Sequence, residues 1–403
     1  MKKPLLILIA IMLIFTPLAR GTMLAWADKL FLLLEYLTIL LWVLKLDLKK
    51  FPAILKRNSL TVPIFLFCAL AAVSFYFSSY KYIGFFSLLR LFGFVFLYYI
   101  VSQEFGEPEK KRIMYLVITI GTALSLYGLF QYFNVLPHPW WYPDIFLSST
   151  YVNHNNFAGY LELTIPAAVA FLFSRHHKRR EGGAKYIGVF NLAALVIMLL
   201  AFILTQSRGA WISLSLALLC AIAILFKRDF FNKRSAVLSV ILACTILSAV
   251  YFGKDVTALR IGETDIVGDA SFGTRLKIWQ GSVDMIKANP ITGTGIGTFI
   301  WAFPRYRPEG LLVKANFAHN EYLNMAAEMG IFAPIIMMWI FTVILKRGFR
   351  KDAPLYIIGC ATGVLSLVLH GLVDFNFHIP ANMLLFTLFV AFIMSGEKDR
   401  CRD

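Results

Sequence analysis

Charged residues are scarce in this 403-residue sequence. Asp, Glu, Lys and Arg together make up 15% of it, whereas hydrophobic residues make up 59%. Soluble domains carry about 25% charged and about 45–50% apolar residues. This composition excludes a soluble enzyme, a nucleic-acid-binding domain and a disordered chain, and it is typical of a polytopic membrane protein.

Cysteines are also few, and they are dispersed along the chain. No CxxC pair and no cluster of His and Cys occurs, so we expect neither a disulfide framework nor a zinc site. Four of the cysteines lie inside apolar runs. The five are Cys68, Cys220, Cys244, Cys360 and Cys401.

Apolar runs of about 17–25 residues, the length that crosses a bilayer as a helix, recur along the chain. They predict an all-α polytopic membrane protein with about twelve transmembrane helices. The predicted spans are residues 4–19, 30–46, 60–77, 82–101, 113–133, 156–174, 186–205, 209–226, 235–252, 321–345, 354–373 and 379–395.

Basic residues are concentrated in every second connecting segment. One alternating set of segments holds 26 of the 39 Lys and Arg residues. Because such an excess marks cytoplasmic loops, we predict that both termini are cytoplasmic. The net charge of +16 then follows mostly from topology and requires no nucleic-acid partner. A signal peptide cleaved near residues 25–27 is an alternative for the N-terminus, although the apolar stretch ends well before that site.

The hydrophilic residues lie mainly in segments predicted to face outward. Residues 253–320 form the longest of these and residues 134–155 a shorter one, while every predicted cytoplasmic loop is short. We therefore divide the chain into helices 1–9 (1–252), one large outward-facing loop (253–320), and helices 10–12 with a short tail (321–403). No cytosolic domain is predicted that could bind ATP or a nucleotide sugar. A twelve-span transporter is the alternative, but such folds place their long loop in the middle of the chain, on the cytoplasmic side.

Within the large loop, residues 274–289 predict an amphipathic helix that either lies on the membrane surface or packs against the bundle. Thr274 is its expected N-cap, and Asn289-Pro290 should end it. The glycine run at 293–297 has no preceding strand and no following Lys-Ser/Thr pair, so it predicts a tight turn rather than a nucleotide site. Apolar residues at helical spacing are Leu276, Trp279, Val283 and Ile286.

A histidine stands where the large loop reaches the tenth predicted span. His319 can be neutral near pH 7 and accept a proton there. Tyr322 is expected to share its helix face, and Glu321 and Glu328 lie seven residues apart on another face. A structural role is the alternative for His319. His154 and His378 lie at the outward ends of other predicted spans and are weaker candidates for the proton acceptor.

Several arginines lie in segments predicted to face outward, although basic residues are usually concentrated in cytoplasmic loops. Arg208 lies in the shortest outward connection, within Ser-Arg-Gly-Ala-Trp (207–211). Its planar fork suits phosphate oxygens, and contact with lipid headgroups is the alternative. Arg275 and Arg305 add positive charge on the same side.

One further arginine is predicted to lie inside the membrane. Arg90 is in the middle of the fourth span and needs an anionic partner there. Glu162 or Glu35 could supply it within the bundle, which would be a structural pairing.

These motifs together resemble the O-antigen ligase and polymerase superfamily, over about residues 150–378. His319-Asn320 followed by nine residues and Gly330 matches the ligase loop motif. Ala333-Pro334 stand where the ligase pattern has Gly-Thr, which leaves the choice between ligase and polymerase open. The resemblance is carried by Ser-Arg-Gly-Ala-Trp at 207–211, Arg275 with Trp279, Pro290 with Gly293, Gly295 and Gly297, and Ala-His-Asn-x-Tyr-Leu from 318 with Glu328 and Gly330.

The resemblance implies a GT-C-like fold in the bacterial inner membrane, with the active site facing the periplasm. It implies inverting glycosyl transfer from undecaprenyl diphosphate without a nucleotide, a cofactor or a required metal, and no DxD motif occurs in the outward loops. By position, His319 would be the general base and Arg208 would hold the diphosphate, with Arg275 as a second contact and Arg305 as a weaker one. Asn320, Tyr322 and His154 are further candidates for substrate binding.

The acceptor stays open under this resemblance. A ligase attaches finished glycan to lipid A–core, a polymerase extends the glycan on its own carrier, and other members transfer glycan to protein. An exporter of lipid-linked glycan is the non-enzymatic alternative. We expect ligation to lipid A–core, with the membrane lipid as a further partner and no nucleic acid.

Overall fold

The computed structural model of this protein describes residues 2–46, 59–135, 146–174, 183–227 and 272–395. These residues form helices and turns, and no strand occurs among them, which confirms the all-α prediction. The α-helices are α1 (Lys2–Leu18), α2 (Ala25–Val43), α3 (Thr61–Phe77), α4 (Lys81–Glu104), α5 (Glu107–Tyr132), α6 (His154–Ser174), α7 (Gly183–Leu204), α8 (Arg208–Phe226), α9 (Phe272–Ala288), α10 (Phe299–Ala302), α11 (Glu321–Met329), α12 (Phe332–Gly348), α13 (Leu355–His370) and α14 (Pro380–Met394). Short 3₁₀ helices lie at Arg20–Thr22, Phe303–Tyr306 and Asn376–His378.

Length and apolar composition indicate which described helices can cross a membrane. Helices α4, α5 and α8 are long and apolar enough to do so, and α3, α13, α14 and the Val189–Leu204 part of α7 are shorter apolar helices. A helix suits the bilayer because all its backbone N–H and C=O groups pair within one segment. The chain is therefore a helical membrane protein. Twelve spans remain a prediction, and the expected ninth span, 235–252, lies outside the described residues.

The tenth predicted span is wrong, because residues 321–345 form two helices instead of one. Gly330 separates α11 from α12 with a φ of 84°, and a Cβ there would stand 2.0 Å from the carbonyl oxygen of Ile291. Ile331 N donates to the Pro290 carbonyl at 2.9 Å, which fixes the break. Helix α11 has nine residues and is about 14 Å long, too short for a hydrocarbon core of about 30 Å.

Helix α13 approaches α6 closely because its glycines face that helix. A Cβ at Gly359 would lie 2.5 Å from the Cβ of Ala170, and one at Gly363 would lie 2.8 Å from the carbonyl oxygen of Leu163. Small residues of this kind let membrane helices come into backbone contact. Helix α8 also packs on α13. The N-terminal ends of α6 and α8 and the C-terminal end of α13 thus meet.

The described part of the large loop, from residue 272 onward, is a small helical unit with its own apolar core. Helix α9 is described from Phe272, so Thr274 lies inside it and the N-cap prediction is wrong. The helix ends at Ala288, just before Asn289-Pro290, as predicted. The core joins α9, α10 and α11 and includes Ile278, Met285, Phe299, Phe303, Leu311, Ala318 and Ala327.

Candidate functional site

The turn that follows α13 gathers residues from three distant parts of the chain. We call residues 371–375 the site turn. Glu321 N donates to the Gly371 carbonyl at 2.8 Å, and Asn320 Nδ2 donates to the Leu372 carbonyl at 2.9 Å. The carbonyl oxygen of Val373 accepts a hydrogen bond from Arg275 Nη1 at 2.7 Å. The start of α11 and the middle of the large loop are therefore fixed to one turn.

Arg208 is the first residue of α8, and the backbone beside it lies next to the site turn. Its neighbour Gly209 lies against the site turn so closely that a Cβ would stand 2.9 Å from Val373 Cγ2 and 3.0 Å from the His370 ring. The Arg208 side chain is half-buried. A sharp turn at Gln206, with a φ of 52°, joins α7 to α8 just before Arg208. The site turn thus lies beside two of the arginines that the sequence singled out.

His319 contacts the last residue of the site turn but does not belong to helix α11. Its ring lies edge-on to Phe375 with centroids 4.9 Å apart, and it is 8% exposed. Asn320 is the N-cap of α11, so the expectation that His319 and Tyr322 share a helix face is wrong. The backbone of His319 has a φ of 49°, in the left-handed region that non-glycine residues seldom occupy. Such conformations persist where surrounding contacts impose them, and they cluster at functional sites.

Asn320 and Tyr322, which were candidates for substrate binding, both make structural contacts. Asn320 Oδ1 accepts hydrogen bonds from the backbone N–H groups of Tyr322 and Leu323, each at 3.0 Å. Tyr322 Oη donates to the Val368 carbonyl at 2.7 Å. These two side chains hold α11 against α13 and thereby hold the backbone next to His319.

The remaining two candidates are His154, the first residue of α6, and Arg305 in the large loop. His154 is 2% exposed, and its Nδ1 is 2.7 Å from the Thr205 carbonyl oxygen. It therefore supports the turn that precedes Arg208. Arg305 is exposed on the 3₁₀ helix Phe303–Tyr306, and the described residues include no hydrogen bond between it and the site turn.

A carboxylate–imidazole pair lies beside the site, and the sequence predicts only its carboxylate as a notable residue of α11. Glu321 is fully buried; its Oε1 accepts a hydrogen bond from Phe377 N at 2.6 Å, and its Oε2 lies 2.9 Å from His378 Nδ1. Burial of the ring disfavours its charged form, but Glu321 and Glu328 outweigh this and the repulsion from Arg90. The pKa of His378 is consequently raised above its ordinary value.

Glu328 explains the glycine run at 293–297. Its two carboxylate oxygens accept hydrogen bonds from Gly297 N and Phe299 N, both at 2.9 Å. Its backbone carbonyl accepts one from Gly295 N at 2.9 Å. The run thus forms a turn around a buried glutamate of α11, and the N–H groups of Gly295 and Gly297 are used within the protein. The separation of seven residues between Glu321 and Glu328 was the sequence feature that marked both.

The pairing expected for Arg90 is wrong. Arg90 Nη2 forms an ion pair with Asp28 of α2. Glu162 pairs instead with His370, whose Nδ1 lies 2.6 Å from Glu162 Oε2. Sequence spacing did not single out His370, because contact between α6 and α13 depends on tertiary packing.

The His319 ring and the Arg275 guanidinium contact the site turn, and the backbone next to Arg208 lies against it. An imidazole can take a proton from a hydroxyl group, and paired arginines can bind and stabilise a diphosphate. Among the described residues, no group of three or more His, Cys, Asp and Glu residues is close enough to hold a metal ion.

Comparison with known proteins supports the resemblance seen in the sequence. Residues 193–338 match the family model described as O-antigen ligase, a stretch that contains Arg208, Arg275 and His319. A Haemophilus influenzae protein described as uncharacterized is 22% identical over 314 residues, which cover 71% of this chain and 73% of that protein. The family match confirms the resemblance to the O-antigen ligase and polymerase superfamily. Helix α13 and the site turn lie beyond the matched stretch.

Proposed function

We propose that this chain, whose residues 193–338 match the O-antigen ligase family, transfers a glycan from undecaprenyl diphosphate to a hydroxyl group of lipid A–core. The observation that supports this most directly is that His319 and Arg275 contact the site turn and that the backbone next to Arg208 lies against the same turn. These residues come from three separate elements of the chain. A general base beside a positive clamp is what displacement of a diphosphate by a hydroxyl group requires.

In the proposed reaction, an acceptor oxygen attacks the anomeric carbon of the donor glycan. His319 takes the proton of the acceptor hydroxyl as the new C–O bond forms. The bond between the anomeric carbon and the diphosphate oxygen breaks, and the electron pair leaves with the diphosphate. Arg208 and Arg275 bind that diphosphate and stabilise its added charge, because guanidinium groups match phosphate oxygens in a bidentate manner. The attack from the opposite face inverts the anomeric centre.

Other predicted site residues have supporting roles in this proposal. Asn320 and Tyr322 hold α11 against α13, and His154 holds the turn that carries Arg208. Arg305, exposed on the large loop, is a weaker donor contact. We place the site on the periplasmic face of the inner membrane, with both termini in the cytoplasm, because of the alternating basic segments.

A polymerase is the second candidate. Ala333-Pro334 at the start of α12 replace the Gly-Thr of the ligase pattern. The same base and clamp would serve a polymerase, because only the acceptor differs: another lipid-linked glycan instead of lipid A–core.

Transfer by the purified protein in detergent micelles tests these alternatives. The donor is O-antigen on undecaprenyl diphosphate, and the acceptors offered separately are lipid A–core and a second lipid-linked glycan. Product on lipid A–core supports a ligase, and product only on the lipid-linked glycan supports a polymerase. No transfer to either acceptor favours an exporter, since micelles contain no leaflets between which a substrate could be moved.

Deletion of the gene tests the same alternatives in cells. Loss of a ligase leaves long glycan on its lipid carrier beside bare lipid A–core. Loss of a polymerase leaves core capped with one repeat.

A further inference from the structure

Two ionisable side chains are buried directly beneath the site turn. Glu162 of α6 and His370, the last residue of α13, have side chains 0% and 1% exposed, with Oε2 and Nδ1 2.6 Å apart. Ser366 Oγ donates to the other oxygen of Glu162, also at 2.6 Å. None of these side chains has a part in the proposed proton transfer or in diphosphate binding.

The His370 ring has further polar neighbours. Asp374 Oδ2 lies 4.0 Å from its Nε2, so the imidazole stands between two carboxylates. Asn376 Nδ2 is 3.2 Å from its Nδ1, and Asn376 Oδ1 accepts a hydrogen bond from Asn382 Nδ2 at 2.9 Å. In a buried network of this kind each hydrogen bond is strong and each unsatisfied group is costly. The position of the ring is therefore closely defined.

Both arginines of the proposed clamp are linked to His370, Arg208 through a contact of its neighbour with the ring and Arg275 through the backbone. Gly209, next to Arg208, lies against the ring itself, where a Cβ would be 3.0 Å from its Cδ2 and Nε2. Arg275 binds the carbonyl of Val373, and Val373 N donates to the His370 carbonyl at 2.9 Å. A shift of His370 would therefore reach Arg208 through the ring and Arg275 through the backbone of the site turn.

We propose that the Glu162–His370 pair positions Arg208 and Arg275, so that both arginines bind the same diphosphate. The pair acts through the arginines and does not contact the substrate. This inference rests on the proposed function for the identity of the diphosphate. It assigns Glu162 and His370 as positioning residues, although His370 lies outside the stretch that matches the ligase family.

The test uses binding and transfer by the full-length protein in nanodiscs. Binding is measured with undecaprenyl diphosphate that carries no glycan. Transfer is measured with glycan on undecaprenyl diphosphate as donor and lipid A–core as acceptor. The variants are Glu162→Gln, His370→Gln, which keeps an N–H donor toward Glu162, and His370→Leu, which keeps none. Thr362→Ala on α13, whose hydroxyl bonds to the Ile358 carbonyl, is the matched control.

We expect His370→Leu to weaken undecaprenyl diphosphate binding and to raise the donor KM by about 10- to 100-fold, the scale of an ångström-sized misplacement. His370→Gln and Glu162→Gln should show smaller changes in the same direction, and the acceptor KM should stay constant. The control should bind and turn over like the wild type. If His370→Leu does not fold, the two glutamine variants decide the test.

Two outcomes would overturn this inference. One is wild-type binding and donor KM in all the variants that fold. The other is a fall in kcat alone, in proportion to the fraction of folded protein, since a merely structural pair would act that way. Failure of the proposed function would give a different result. The wild type would bind undecaprenyl diphosphate but transfer no glycan, and the effect of the variants on binding would still be measured.

Discussion

The side-chain amide of Asn320 donates a hydrogen bond to the carbonyl oxygen of Leu372 at 2.9 Å, across 52 positions of sequence. The oxygen of the same amide caps helix α11 by accepting from Tyr322 N and Leu323 N. One side chain therefore starts the helix that follows His319 and fixes that start to the site turn. Asparagine suits both contacts, because its amide carries a donor and an acceptor on one short side chain.

Substitution of Asn320 separates these two contacts. Asn320→Ala loses both and should lower the free energy of unfolding by about 1–2 kcal/mol for the cap alone. Asn320→Asp keeps the capping oxygen and loses the donor to Leu372, so it should stay closer to wild type in stability while transfer falls. Thermal unfolding in detergent and the transfer assay measure the two effects. Equal stability of the Ala and Asp variants would contradict a capping role.

Replacement of His319 should abolish transfer, because the proposed base is removed. Two variants separate chemistry from backbone conformation. Glycine adopts a φ near +49° without penalty, whereas alanine is disfavoured there by about 1–2 kcal/mol. We expect His319→Gly and His319→Ala to be equally inactive, with the glycine variant the more stable. Substantial turnover by well-folded His319→Gly would reduce this histidine to a structural residue.

Arg208→Lys keeps the positive charge but loses the bidentate geometry of the guanidinium. If Arg208 binds diphosphate, transfer should fall strongly while the amount of folded protein is unchanged. A contact with lipid headgroups would tolerate lysine, because a point charge serves that purpose. The control is Arg307→Lys, at an exposed arginine of the large loop whose Nε donates to the Leu311 carbonyl, and it should have near-normal activity. Near-normal activity of Arg208→Lys as well would favour the headgroup contact.

The His378–Glu321 pair should make stability depend on pH. Because the pKa of His378 is raised in the folded protein, its pairing stabilises the fold fully below the unfolded pKa of about 6.5. That contribution is lost as the pH rises through the folded pKa. We therefore expect a lower thermal midpoint at about pH 9 than at about pH 6. In His378→Gln, which cannot titrate, the difference between the two midpoints should shrink, and an unchanged difference would assign the effect to other groups.

Orientation in the membrane can be tested with reporter fusions. Reporters placed after Arg180, Arg234 and Lys351 should be active on the cytoplasmic side, because basic segments stay inside. Reporters placed within residues 255–315 should be active in the periplasm. A cytoplasmic result for the large loop would contradict both the topology and the proposed location of the site.

Hydrophobic pattern and residue type determined much of this protein before any packing was known. Apolar runs predicted most of the described helices to within a few residues, because every buried backbone group in a bilayer must be paired within its own segment. Arg208, Arg275 and His319 were singled out as well, because each carries chemistry that is unusual for its place in the chain. The sequence also predicts the end of α9 at Asn289-Pro290 correctly.

Only the tertiary structure decided which of these residues meet. The site turn joins positions more than 150 residues apart, such as Gly209 and Val373, and no local spacing encodes that contact. The break at Gly330 depends on the carbonyl of Ile291 occupying the space where a side chain would stand. Glu162 pairs with His370 and not with Arg90, because the glycines of α13 let that helix pack closely against α6. Local sequence predicts the helices, since their hydrogen bonds are local, whereas the site depends on how helix ends come together.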